Sequence, residues 1–353
     1  MYQLDGTPMS SDPRHALARQ VDALTAKGLH PAGAFELEFF LLANERDAEG
    51  RVQPARAVLD GRPSGKTEVY SVDHLHGMEP LFSDIYAAAK AQGIPAETVI
   101  SEYAPGQYEL TLHYRKDVMQ AADDLVMLKR LVRAQARRHG VTACFMAKPI
   151  EKYAGSGMHF HVSLLNGDGR NVFAEADGES WSLPLLRAIG GLAQTMAESM
   201  LVFAPHANSW RRFVSQSYAP VAPSWGVNNR SVALRVPAGD ADNRRIEHRP
   251  SGVDANPYLV AATVLAAIAK GLEEELDPGP ETIGNGYETG ALSSGAMPAD
   301  WRSAIEAARE SDFLKQALGP DLHHAFVAIK QSEYLRVART VGETDYQLYL
   351  HEV

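Results

Sequence analysis

Charged residues in the segment 228–256 constrain the fold of this chain more than any other feature of its sequence. Around a turn at 237–242, the segment carries Arg230, Arg235, Arg245, Glu247 and Arg249. If the part after the turn is a strand, its last three charges alternate and project from one face, which cannot belong to an apolar core. Arginine side chains bind planar oxyanions such as carboxylates and phosphates. The segment therefore predicts a local anion site, and a solvated ladder of surface ion pairs is the alternative.

Composition limits the classes of partner. The chain has 353 residues, 45% of them hydrophobic and 22% charged, which is ordinary for a globular protein with a substantial core. Its formal net charge of -10 argues against a general affinity for nucleic acid. No apolar run approaches the roughly 20 residues that span a bilayer, and the N-terminus lacks a signal pattern, so we expect no membrane segment. The single Cys144 predicts a buried, inert thiol in a reducing compartment, the cytoplasm.

Hydrophobic periodicity predicts long helices interspersed with short strands. Helices are predicted at 13–27, 75–92, 117–139, 181–199, 257–276 and from about 298 onward, and strands at 33–42, 98–103, 107–114, 141–147 and 158–165. Residues 43–70 predict a long loop, and 166–169 predict a hairpin turn. Neighbouring strands and hairpins between helices favour the α+β class, with a largely antiparallel sheet.

Potential metal ligands recur on the polar faces of these strands. They are Glu36, Glu38, Glu102, Glu109, His159, His161, Ser163 and Glu247. Each pair alone is typical of a solvated face or of hydrogen-bonded structure. Several carboxylates facing one cleft would repel one another unless cations were present, and oxygen ligands with an imidazole suit Mg²⁺ or Mn²⁺. Together with the arginines, they predict a charged cleft that binds divalent metals and a polyphosphate. The sequence contains no phosphate-binding glycine loop or nucleophile elbow that would favour another chemistry.

The pattern resembles the catalytic domain of the glutamine synthetase family. The matching segments, in the family's order, are FELEFFLL at 35–42, EYAPGQYEL at 102–110, FMAKP at 145–149, GSGMHFHVSL at 155–164, NNRSVALRVP at 228–237, RRIEHR at 244–249 and ANPYL at 255–259. They cover nearly the whole chain. The resemblance implies one catalytic domain over 1–353, with a curved, largely antiparallel sheet, flanking helices and a helical C-terminal part at about 277–353.

The resemblance also implies a role for each matching residue. Glu38, Glu102 and Glu109 would bind one metal ion, and Glu36, His159 and Glu247 a second. His161 and Ser163 would contact the nucleotide, and Arg230, Arg235 and Arg245 its phosphates. Gly155, Arg212 and Arg249 would hold glutamate. The implied catalytic group is Arg230, Glu247 and Arg249, with Mg²⁺ or Mn²⁺ as the metal and ATP as the co-substrate.

Three departures from the family pattern bear on the acceptor and on completeness. Tyr218 stands where ammonia-using members have a flap glutamate, and a phenol carries no negative charge near neutral pH. Ala154 replaces an asparagine that contacts glutamate. Members usually carry an N-terminal β-grasp domain, and we expect it to be absent here. The wording around Tyr218 is closer to the branch that joins glutamate to larger amines, the γ-glutamylpolyamine and γ-glutamylamide synthetases.

We therefore expect an ATP-dependent ligase that joins the γ-carboxylate of glutamate to an amine through γ-glutamyl phosphate. Two alternatives stay open: a glutamine synthetase that uses ammonia, and a catalytically weak homologue that binds nucleotide or glutamate. The expected partners are glutamate, ATP and an amine, with neither nucleic acid nor membrane. The family forms rings, so we expect a homo-oligomer, a hexamer or a dodecamer.

Overall fold

A long first strand organises the sheet of this computed structural model, which describes residues 1–67, 69–174, 181–289 and 297–351. The strands are β1 (His30–Ala43), β2 (Ala96–Ser101), β3 (Gln107–Leu112), β4 (Val141–Cys144), β5 (Phe160–Leu165), β6 (Trp225–Val227), β7 (Leu234–Val236) and β8 (Ile246–His248). The sheet runs in the order β2-β3-β1-β5-β8-β7-β6, and β4 pairs with β1 beyond β5. All pairs are antiparallel except β6 with β7, which confirms the predicted largely antiparallel sheet.

Alternation along β1 separates an apolar face from a polar one. Phe35, Leu37 and Phe39 are fully buried in the main hydrophobic core. Glu36 and Glu38 face the other way, as the period of two requires. Because β1 is flanked by β3 on one side and by β5 on the other, ligands from three strands converge on these two glutamates.

Some of the helices that the structure describes pack against the sheet, and others pack mainly on those helices. The helices are α1 (Pro13–Thr25), α2 (Val72–Gly77), α3 (Glu79–Ala91), α4 (Val118–Arg138), α5 (Leu183–Phe203), α6 (Pro257–Glu273), α7 (Gly286–Thr289), α8 (Trp301–Glu310), α9 (Asp312–Leu318), α10 (Pro320–Ala338) and α11 (Glu343–Tyr349), with a 3₁₀ turn at Ser209–Arg212. Helices α5 and α6 approach each other closely at Gly191, where a side chain would not fit. A Cβ built on Gly191 would lie 2.1 Å from the Ala267 carbonyl oxygen. The contact of α5 with α6 forms a layer of helices beside the sheet.

Several predicted boundaries are wrong by a few residues. The helix predicted at 75–92 is divided into α2 and α3, because Pro80 in the first turn of α3 cannot continue a preceding helix. The strand predicted at 98–103 lies two residues earlier and ends at Ser101, so Glu102 is just beyond its end. A register shift interrupts its pairing with β3 between Ala96 and Val99. The strand predicted at 158–165 begins at Phe160, so His159 precedes it.

The remaining predictions concern loops and the C-terminal part. The hairpin turn at 166–169 is confirmed, since the Asn166 N–H donates to the Arg170 carbonyl and Gly169 has a φ of 77°. The C-terminal part is helical over the residues that the structure describes, and 290–296 and 352–353 lie outside them. Within the described ranges, no helix combines the length and the apolar character needed to cross a bilayer. That residues 1–353 form a single domain stays a prediction.

Candidate active site

Two histidines from the segment that contains β5, His159 and His161, lie beside Glu36. Backbone hydrogen bonds from the Glu36 N–H to the His159 carbonyl and from the Glu38 N–H to the Gly157 carbonyl extend the β1–β5 pairing to residues that precede the first residue of β5. As a result, Nδ1 of His159 lies 2.8 Å from one Glu36 oxygen, and Nε2 of His161 lies 2.7 Å from the other. Although burial alone would raise the pKa of Glu36, the charges and hydrogen bonds of His161 and His159 hold it well below its usual value.

Three carboxylates form a second group beside this pair. Glu109 is the direct cross-strand partner of Glu38, and Glu102 reaches them from the end of β2 across the Pro-Gly turn. Burial, followed by the repulsion of Glu38, raises the pKa of Glu102 to about 7. Burial and the charges of Glu36 and Glu38 likewise raise the pKa of Glu109 well above its usual value. The group therefore carries a repulsion that a divalent cation would relieve.

Glu247 on β8 completes the cluster and is only 1% exposed. Nη1 of Arg235 donates to one of its oxygens over 2.5 Å, and Nη1 of Arg249 donates to the other. Burial raises the pKa of Glu247, but the charges of Arg249 and the two histidines overcome this and lower it to about 2. A solvated ladder of surface ion pairs is therefore the wrong interpretation for this buried carboxylate.

The donor set suits hard divalent cations. Ligand atoms of Glu36, His161 and Glu247 lie within 4.8 Å of one another, and so do those of Glu36, Glu109 and His159. These triads cut across the predicted division into two metal sites. However, Nδ1 of His159 also lies 3.7 Å from Glu247, so the predicted set of Glu36, His159 and Glu247 is compact as well. Carboxylate oxygens and imidazole nitrogens match the chemistry of Mg²⁺ or Mn²⁺.

Two cavities border this cluster. One, of about 1300 Å³, is lined by Glu38, Glu102 and His159 together with the predicted substrate residues Gly155, Arg212, Tyr218 and Arg249. The other, of about 790 Å³, is lined by Glu36 together with the predicted nucleotide residues His161, Ser163 and Arg245. These residues predicted for glutamate and for the nucleotide are thus separated into different cavities, whereas the predicted phosphate ligands Arg230 and Arg235 line neither of the two. The carboxylate and imidazole cluster lies between the two cavities, because Glu36 lines one of them and Glu38 and His159 line the other.

Arg212 is held in a fixed position at the wall of the larger cavity. It is buried, and its Nη1 donates to the Pro250 carbonyl over 3.0 Å. A Cβ at position 155 would lie 2.2 Å from Cγ of Arg212, so only glycine leaves room for this arginine. Burial lowers the pKa of Arg212, and the charge of Glu38 opposes that change. This close packing explains why position 155, a predicted substrate position, holds a glycine.

Tyr218 and Arg230 are placed differently from the buried ligands. Tyr218 is 61% exposed at the rim of the larger cavity and has a φ of 59°. Arg230, also exposed, donates through Nη1 to the hydroxyl of Tyr70 over 3.1 Å. Ala154 lines the larger cavity near Gly155.

The sequence analysis missed two side chains that hold site residues in place. Tyr70, with a φ of 58°, anchors Arg230 and donates its backbone N–H to the carbonyl of Ser101, next to Glu102. Nε2 of Gln107 donates to the Gly155 carbonyl over 2.9 Å and lies 3.4 Å from Glu38. Gln107 could have been found from its place after the Pro-Gly turn, whereas Tyr70 lies in a long loop that offers no periodic signal.

Comparison with known proteins identifies the family. The family model described as glutamine synthetase, catalytic domain, matches residues 10–349. This chain belongs to the glutamine synthetase family. Enzymes of the family use ATP and divalent metal ions. The family membership confirms the predicted fold class, and the individual site assignments stay predictions.

The relatives of this glutamine synthetase family member include several ligases. It is 43% identical over 350 residues to the γ-glutamylputrescine synthetase of Escherichia coli K12, with 99% of this chain and 73% of that protein covered. It is 33% identical over 319 residues to the γ-glutamylethanolamide synthetase of Streptomyces coelicolor, covering 90% and 66%. Among solved structures, an ADP complex of GmaS superposes with a TM-score of 0.87 at 27% identity, covering 98% of this chain and 79% of that one.

Proposed function

We propose that this chain is an ATP-dependent ligase that joins the γ-carboxylate of glutamate to an amine, a γ-glutamylamine synthetase. The observation that carries the proposal is a buried carboxylate and imidazole cluster between two cavities, each lined by arginine. Its relatives at 43% and 33% identity are named for the γ-glutamyl derivatives of putrescine and ethanolamine. Tyr218 favours the same choice over ammonia, because a neutral phenol cannot attract an ammonium ion as a carboxylate would.

ATP is assigned to the smaller cavity. His161 and Ser163 would contact the nucleotide, and Arg245 its phosphates. Glu36, His159 and Glu247 would hold one Mg²⁺ or Mn²⁺ ion, and Glu38, Glu102 and Glu109 the other. When bound, the ion at Glu36, His159 and Glu247 would neutralise the charge of the phosphates, and the other would help to hold glutamate. Arg235 has a buried Nε without a hydrogen-bond partner among the described residues, so it keeps a donor for a phosphate oxygen.

Glutamate is assigned to the larger cavity, where Arg212 and Arg249 would bind its carboxylates beside Gly155. An oxygen of the γ-carboxylate attacks the γ-phosphorus of ATP, and the bond from that phosphorus to the ADP oxygen breaks. Arg230 would stabilise the charge that spreads over the transferring phosphoryl group. A neutral amine then attacks the carbonyl carbon of γ-glutamyl phosphate, phosphate leaves, and the nitrogen loses a proton.

Phosphate release across a panel of acceptors tests this proposal. Purified protein with ATP, Mg²⁺ and glutamate is assayed with ammonia, ethylamine, ethanolamine, putrescine and spermidine. We expect release to depend on one or more of the larger amines. Activity with ammonia alone would instead identify a glutamine synthetase, and ATP binding without release for any acceptor would identify a weak binding homologue.

A charge substitution at Tyr218 tests the acceptor assignment separately. Tyr218→Glu restores a carboxylate at the cavity rim, so the ratio of ammonia-dependent to amine-dependent turnover should rise. Gln216→Glu is the matched control, since Gln216 lines the same cavity and receives the same charge. An equal rise in both variants would show that general electrostatics, and not the position of Tyr218, determines acceptor choice.

Assembly and location complete the proposal. We propose a homo-oligomeric ring of six or twelve copies, in keeping with the family, and a cytoplasmic location in keeping with the unpaired Cys144. Cys144 is half-buried, and burial raises the pKa of its thiol, as expected of an inert residue. Mass photometry of the purified chain tests the ring, and a mass corresponding to one copy would contradict it.

A further inference from the structure

A third cavity lies behind one wall of the proposed glutamate cavity. It has a volume of about 1660 Å³, and the lining residues that it shares with its neighbour are Met146, Pro149, Glu151, Lys152, Tyr153 and Asn208. Five basic residues line it against three acidic ones, the basic ones being Arg46, Arg51, Lys129, Arg133 and Lys152. We call it the basic cleft. The excess of positive charge is notable in a chain whose net charge is -10.

Arg133 on α4 presents an unused guanidinium group to the basic cleft. Its central carbon lies 4.6 Å from the centroid of the Phe145 ring, and this contact orients the planar group. Among the residues that the structure describes, Arg133 has no hydrogen bond or ion pair, so its donors are available to a ligand. An arginine held against an aromatic ring loses little freedom when it binds a planar or tetrahedral oxyanion.

Lys129 lies one helical turn before Arg133 and adds a second positive charge. Its Nζ donates to the Val253 carbonyl over 2.5 Å and lies 5.8 Å from the Phe145 centroid. Like charges at this helical spacing repel each other. Burial lowers the pKa of Lys129 to about 8, Asp254 opposes that change, and Arg133 adds to it.

Asp254 is the acidic neighbour of this pair, but it is already shared. Its Oδ2 accepts a hydrogen bond from the Ser209 hydroxyl over 2.7 Å, and its charge also acts on the buried Arg212. One carboxylate therefore acts on two cations, Lys129 and Arg212, and Arg133 beside them has positive charge that an incoming anion would balance.

We propose that the basic cleft binds an oxyanion, a phosphate or a carboxylate group. Arg133 binds the oxyanion through paired N–H donors, and Lys129, one helical turn before it, adds a positive charge. The site is distinct from the proposed catalytic one, because Lys129 and Arg133 line the basic cleft and do not line the proposed glutamate cavity, although the two cavities adjoin at residues 146–153.

Equilibrium dialysis with radiolabelled inorganic phosphate and with radiolabelled glutarate tests the proposal on the full chain. The perturbed protein is Arg133→Gln. The control is Arg130→Gln, which removes an equally exposed arginine from the same helix outside the cleft. Because both positions are exposed, neither change threatens folding.

We expect Arg133→Gln to weaken one class of binding sites at least about tenfold, as loss of a charged hydrogen bond implies, while Arg130→Gln binds like the unaltered protein. Both variants should retain full turnover. A change for phosphate only would identify a phosphate ligand, and a change for glutarate only a carboxylate ligand. Unchanged binding of both probes in Arg133→Gln would overturn the proposal, and so would loss of turnover in that variant.

Discussion

Metal binding should release protons in a pH-dependent way, because two of the predicted ligands hold protons in the metal-free protein. Burial and Glu38 raise the pKa of Glu102 from 4.5 to about 7. At pH 7 Glu102 therefore carries about half a proton, and at pH 8 about a tenth. Glu109, whose pKa is also raised, adds to this number. Since a metal ligand must be deprotonated, binding at pH 7 should release at least about half a proton per chain, and metal affinity should rise as the pH rises.

Isothermal titration calorimetry measures this release. Mg²⁺ or Mn²⁺ is titrated in two buffers of different ionisation enthalpy at pH 7 and at pH 8, and the difference in heat gives the number of protons. Glu102→Gln should lower the number. Glu151→Gln should leave the number of protons unchanged, because Glu151 lines the same cavity as Glu102 but is not a predicted metal ligand. A count of zero at pH 7, or an equal count in Glu102→Gln, would refute the assignment.

The same pKa shift affects stability. Because the folded-state pKa of Glu102 lies above 4.5, the folded form binds more protons than the unfolded form between about pH 4.5 and about pH 7. This contribution to stability is complete below that window and is lost as the pH rises through it. Divalent metal should therefore raise the melting temperature more at pH 7.5 than at pH 5, and thermal unfolding at both values checks this.

Three substitutions test the geometry. Gly33→Ala should destabilise the fold by about 1–3 kcal/mol in denaturant unfolding, because a Cβ there would lie 2.3 Å from the His161 carbonyl oxygen, whereas Gly65→Ala, with open space around it, should be nearly neutral. Tyr70→Phe should lower kcat about tenfold with little change in the KM for glutamate, since it frees Arg230; unchanged kcat would remove Tyr70 from the site. Arg249→Gln should chiefly raise the KM for glutamate in steady-state kinetics. A lower kcat with an unchanged KM would contradict this role.

The sequence predicted the elements whose periodicity is strong. Alternation in β1 placed Glu36 and Glu38 on one face, and the Pro-Gly turn before Gln107 predicted the approach of Glu102 to Glu109. In both cases the geometry of one strand or one hairpin is enough to orient the side chains. Residues in the family's motifs were therefore found together in the structure.

Features that depend on contacts between distant segments could not be predicted from the sequence. The pairing of Glu247 with Arg235 and Arg249 inside the protein could not be distinguished from a surface ladder, since alternation alone does not reveal burial. The Tyr70 contact with Arg230 joins two loops far apart in the chain, and the break between α2 and α3 required the context of Pro80. The basic cleft likewise arises where α4 meets the loop after β1.

The transfer of oxygen from glutamate to phosphate tests the central claim most directly. Glutamate labelled with ¹⁸O in its γ-carboxylate is incubated with the protein, ATP, Mg²⁺ and the preferred amine, and the released phosphate is analysed by mass spectrometry. If the γ-carboxylate attacks the γ-phosphorus of ATP, each phosphate released should carry one oxygen atom from the labelled carboxylate. Phosphate released without label would contradict the proposed reaction.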